Sequence, residues 1–107
     1  MSVAHDLYID GQWRPASDGA RSDLVDPATE AVIDSVPIAT EDDVNLALAA
    51  AERGWQQWRE VDAWSRSAVL RRAAALTRER IPALAQVLTE EVGKPLAEAK
   101  GEVRATA

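Results

Sequence analysis

The chain has 107 residues, 47% of them apolar, and a formal net charge of −6 at neutral pH, enough for one hydrophobic core and too little for two. Zero cysteines exclude disulfides, thiolate metal sites and a cysteine nucleophile within these residues. With His5 as the single histidine, neither a zinc cluster nor a Ser-His-Asp arrangement can be assembled from this chain alone.

The acidic balance opposes a phosphate backbone, and Arg71, Arg72, Arg78 and Arg80 are interleaved with Glu79 and apolar positions in the manner of a solvated helix face. Nucleic acid is therefore not an expected partner. No uninterrupted apolar run approaches the length needed to cross a bilayer, and Met1-Ser2-Val3-Ala4-His5-Asp6 lacks the basic then apolar layout of a secretory leader. The expectation is a cytoplasmic protein with no membrane partner.

In chain order, Leu7-Tyr8-Ile9 and Gln12-Trp13-Arg14 flank Asp10-Gly11. An Asp-Gly pair between short β-prone runs predicts a hairpin with a type I′ turn, which needs positive φ twice. Residues 15–22 are small and polar and read as a loop, with Pro15 keeping the preceding strand short. A second hairpin pairs residues 21–25 with residues 31–36 through Asp26-Pro27-Ala28-Thr29-Glu30, where Pro27 presets φ and Asp26 can bond its own backbone. Two such ribbons need a platform, because an isolated hairpin is marginal in water.

Helices follow. Thr40 predicts an N-cap, with Asp43 three residues on and Glu41 and Asp42 in the first turn. Val44, Ala47, Leu48, Ala51, Trp55 and Trp58 then recur at helical spacing as one apolar face, expected in the core. Asp62 and Ser65 are candidate caps for a second helix with Ala68 or Val69, Leu70, Ala73, Leu76 and Thr77 on its buried side. Pro82 has no N–H for the Arg78 carbonyl, so that helix kinks, or stops near Ile81 and restarts. The restart carries Leu84, Val87, Leu88 and Val92 on one face. Gly93-Lys94-Pro95 then predicts a corner: Gly93 takes positive φ, Lys94 sits near the last-turn carbonyls, and Pro95 suits the first position of the next helix. Leu96, Ala99 and Val103 are spaced for burial along it, and the helical pattern continues to Ala107 without a breaker. Strands first and helices after make an α+β segment: two β-hairpins, then amphipathic helices.

These motifs, set in order, resemble the N-terminal part of NAD(P)-dependent aldehyde dehydrogenases. The Gly93-Lys94-Pro95 corner followed by Leu96-Ala97-Glu98-Ala99-Lys100-Gly101-Glu102 is the most specific. Its wording is similar to that of members acting on succinate semialdehyde. Leu7 to Trp13 resembles the family's opening hairpin, and Asp26-Pro27-Ala28-Thr29 with Val32-Ile33 its second ribbon. Thr40 to Val44 with Ala47, Ala50, Ala51 and Trp58 resembles its first long helix. Arg66, Leu70, Arg71, Arg72, Ala74 and Leu76, then Glu91, Gly93, Lys94 and Pro95, continue the match. One departure stands out: the family usually has glycine after the threonine of the second turn, where this chain has Glu30. If that position needs positive φ, a glutamate is strained there, or the turn is rebuilt or shifted.

The resemblance implies that residues 1–107 are an N-terminal segment of a subunit with the α/β aldehyde dehydrogenase fold. Residues 1–39 would supply hairpins, and residues 40–107 helices that brace a cofactor domain. It implies oxidation of a small aldehyde to a carboxylic acid with NAD or NADP, through a catalytic cysteine outside this chain. Residues 1–107 alone would be inactive. Partners implied are the remainder of the subunit and identical subunits in a homodimer or homotetramer. No catalytic or cofactor-binding residue of the family falls on this chain, and Lys94 and Glu98 read as capping and surface residues. The one site that carries over is a monovalent cation held by backbone carbonyls of Leu24 and Val25 with a carbonyl or carboxylate of Glu91. A second reading is a non-catalytic helical interaction module that retains the scaffold and meets a partner through Val44, Leu48, Trp55 and Trp58.

Overall fold

A computed structural model describes residues 6–107; the expectation about a leader falls mostly on residues 1–5, outside the described residues. The element order is β1 (Leu7–Ile9), β2 (Gln12–Arg14), β3 (Arg21–Val25), β4 (Val32–Pro37), α1 (Glu41–Trp58), α2 (Ala63–Glu79), α3 (Ile81–Val92) and α4 (Leu96–Thr106). The strands form two separate two-stranded sheets, β1 with β2 and β3 with β4, giving the expected α+β order. The chain divides into two compact units. One holds the described residues up to Leu24 with Val32–Glu60, and the other holds Val25–Ala31 with Val61–Ala107.

In the first unit, Asp10 and Gly11 have φ of 54° and 78°, the two positive values a type I′ turn requires. That turn fixes an antiparallel register of Leu7 with Arg14, Tyr8 with Trp13 and Ile9 with Gln12. The Tyr8 and Trp13 rings meet across it with centroids 4.9 Å apart, a cross-strand pair of the kind that stabilises short ribbons. β1 packs on α1, and Arg53 of α1 reaches Asp10 in the turn at 2.9 Å. This is the helical cover that a marginal ribbon needs. Helix α1 begins as expected: Thr40 is extended, its hydroxyl accepts from the Asp43 N–H, and the Asp43 side chain accepts from the Thr40 N–H, completing a capping box.

The second unit is helical. Asp62 caps α2 by accepting from the Ser65 N–H at 3.0 Å. Between α2 and α3 the chain stops and restarts, one of the two outcomes expected of Pro82. Arg80 leaves helical geometry with φ of −99° and ψ of 7°, and Pro82 sits in the first turn of α3, where its missing N–H costs nothing. The core of this unit lies between α3 and α4, where Ala85, Ala99 and Val103 are buried with Ile81 and Leu88 packed against them. Alanine on both helices lets their backbones approach closely, and α2 packs on α4 from a further side. Pro95 lies one residue outside α4 as its N-cap, a shift of one position from the expected first helical residue.

Two burial expectations are corrected. The α1 face of Val44, Leu48, Trp55 and Trp58 is 48%, 63%, 57% and 37% exposed, not core. On α2, Val69 and Leu70 are exposed, and no residue of that helix is fully buried. Periodicity identifies residues that share a face; what covers the face is a separate matter, and the described residues cover these only in part. No helix among the described residues is long and apolar enough to cross a membrane.

Candidate functional site: a glycine corner against a hairpin turn

The turn joining β3 to β4 is organised by Asp26. Its N–H donates to the Ala31 carbonyl at 2.9 Å, and its carbonyl accepts from the Glu30 N–H at 2.8 Å. Its side-chain Oδ1 accepts from the Ala28 N–H at 2.7 Å, the Asx bond that favours aspartate at such turns. Closing this loop puts Glu30 at a φ of 60°. The turn has therefore kept a left-handed residue where glycine would be relaxed, and the glutamate accepts the strain.

The turn meets the α3–α4 corner. Gly93 ends α3 in the left-handed conformation, φ 75° and ψ 14°, with its N–H donating to the Thr89 carbonyl. A Cβ placed on Gly93 would lie 2.9 Å from Cγ of Pro27. Both the backbone angle and the proline ring thus demand glycine, and the second demand links residues 66 positions apart in sequence. Lys94 has a partner that its sequence position does not announce. Its ammonium pairs with the Glu102 carboxylate one helix later. That bond, with the negative field of Glu102 and Glu98, raises the Lys94 pKa above the ordinary lysine value.

Glu91 is half-buried in the last turn of α3. It joins Thr77, Leu84, Val87, Leu88, Val103 and Thr106 around an open cavity of about 260 Å³. Of the expected cation-binding residues, Val25 and Glu91 belong to the same compact unit and Leu24 to the other. Pro27 lies two residues after Val25 and Gly93 two after Glu91, and the close approach that the structure shows is the one between Pro27 and Gly93. Among the described residues no group of three or more His, Cys, Asp or Glu side chains could hold a metal ion. Any cation here would rest mainly on carbonyl oxygens, the hard donors that suit it.

The first unit contains a polar cluster that the sequence did not announce. Asp43 is fully buried. Oδ2 accepts from the Ser17 N–H, the Thr40 N–H and the Thr40 hydroxyl, each at 3.0 Å, and Oδ1 accepts from the Ser17 hydroxyl. The Ser17 bonds above all, then those from Thr40, hold the carboxyl well below the usual carboxylate range. Asp43 reads in sequence only as the partner of its own cap. The missing half is Ser17, 26 residues away, in a loop whose small polar residues gave no sign of a long-range bond.

Chemically these sites hold structure together. With no cysteine there is no thiolate nucleophile. The glycines at positive φ are Gly11 in a hairpin turn, Gly19 in a loop and Gly93 in a helix-to-helix corner. None opens a helix directly after a strand, where a dinucleotide phosphate would sit.

The profile of the aldehyde dehydrogenase family matches residues 13–107. The chain is 40% identical over 97 residues to a 4-(hydroxymethyl)benzenesulfonate dehydrogenase of Comamonas testosteroni, covering 91% of this chain and 20% of that protein. Among solved structures, a 3,6-anhydro-L-galactose dehydrogenase in complex with NAP superposes with a TM-score of 0.92 at 36% identity, over 95% of this chain and 21% of the other. Succinate-semialdehyde dehydrogenase from Burkholderia pseudomallei gives 0.90 at 41% identity, over 92% and 20%. The chain therefore spans about a fifth of the length of the relatives it matches.

Proposed function

The chain belongs to the aldehyde dehydrogenase family, and from that premise we propose that residues 1–107 are the N-terminal segment of a subunit that oxidises an aldehyde to a carboxylic acid with NAD or NADP. The carrying observation is the pairing of a family match over residues 13–107 with the total absence of cysteine. The scaffold is here and the nucleophile is not, so the catalytic cysteine lies in a later part of the subunit. The cofactor reading is supported by a structural neighbour, a betaine aldehyde dehydrogenase from Staphylococcus aureus, solved in complex with NAD+. When bound, that group accepts hydride from the substrate carbon. The described residues offer it no glycine-rich turn, and its binding falls to the remainder of the subunit.

The role of this chain is positional. The two hairpins, within residues 1–39, and the helices of residues 40–107 brace the cofactor domain. The exposed α1 face with Trp55 and Trp58 is the surface that the rest of the subunit covers. The same face would serve a free-standing interaction module, but the family match favours the enzyme. The relatives at 40% and 41% identity carry different substrates in their names, so the substrate is proposed as an aldehyde. A homodimer or homotetramer in the cytoplasm completes the reading. A monovalent cation is supported by donor chemistry: the carbonyls of Leu24 and Val25 and the carbonyl or carboxylate of Glu91 are all hard oxygens. Exchange of potassium for lithium should lower the melting temperature of the complete protein, and an unchanged value would remove the cation from the proposal.

The functional test compares the product of the complete reading frame with isolated residues 1–107, each given an aldehyde and NAD(P)⁺. Reduction of the nicotinamide is expected from the first alone. Dinucleotide binding by residues 1–107 would overturn this assignment of roles.

A further inference from the structure

We draw no further inference here: the strongest candidate, the groove beside α2 and α4 lined by Ser67, Leu70, Arg71, Ala74, Thr77 and Arg78, is an open face edged by two guanidinium groups, and nothing in the structure shows what covers it.

Discussion

Gly93 and Glu30 are left-handed residues with opposite consequences. Substituting Gly93→Ala adds a Cβ to a backbone at φ 75° and drives it to 2.9 Å from Pro27. We expect a loss of roughly 2–4 kcal/mol in the complete protein, strain and overpacking together. Gly19→Ala has the same kind of φ with nothing within 4 Å, and should lose only about 1–2 kcal/mol. Equal denaturant shifts for the two variants would contradict the Pro27 contact. Glu30→Gly should instead stabilise by about 0.5–1 kcal/mol, because relief of strain exceeds the extra chain entropy of glycine; a destabilised variant would contradict the strained turn. Asp43 makes a prediction in pH. Its folded pKa lies below its unfolded value, so its contribution is present above about pH 4 and is lost as pH falls toward the folded pKa. Asp43→Asn should be less stable at pH 7 and show a shallower acid limb. The exposed neighbour substitution Asp42→Asn should leave that limb nearly unchanged. Parallel pH curves for wild type and Asp43→Asn would show that the buried cluster does not carry this dependence.

Element boundaries were the most legible level, because each has a local chemical cause. Asp10-Gly11, Thr40 with Asp43, Asp62, Pro82 and Gly93 mark turns, caps and breaks within a few residues of themselves, and the structure uses each one. The left-handed conformation at position 30 was suggested by the resemblance alone, since the family usually has glycine there, and Glu30 adopts it with a φ of 60°. Packing was less legible. Ala99 and Val103 were found by spacing, whereas Leu96 remains 38% exposed. Ala85 was missed because a small residue carries little hydrophobic signal even at the centre of a contact. The Ser17–Asp43 and Pro27–Gly93 contacts were missed because both depend on chain segments far apart in sequence. The α3–α4 contact has its own test. Ala99 is fully buried, so Ala99→Leu should cost about 1–3 kcal/mol by overpacking. Ala97→Leu, on the exposed side of the same helix, should change stability little. Equal effects would contradict the alanine-lined contact between the helices.

At the scale of the whole molecule, the apolar residues outnumber what the described structure buries. Ala16, Ala85, Ala99 and Val103 are its buried hydrophobics, while Trp13, Leu48, Trp55, Trp64, Val69 and Leu70 are each more than half exposed. Apolar surface on this scale is usually an interaction surface, which accords with the proposal that the rest of a longer subunit covers it. The family was legible from collinear motifs, because each motif is a local structural requirement and their order is that of the scaffold. Substrate and cofactor contacts were not legible, because the cysteine and the glycine-rich turn by which such sites are read from a sequence do not occur in these residues. The most direct test of the account is intact mass spectrometry of the protein from its source, with and without iodoacetamide. A subunit roughly five times heavier than 11.6 kDa, with an alkylated cysteine whose modification abolishes aldehyde oxidation, is the predicted result. A mass of 11.6 kDa with no adduct would contradict it.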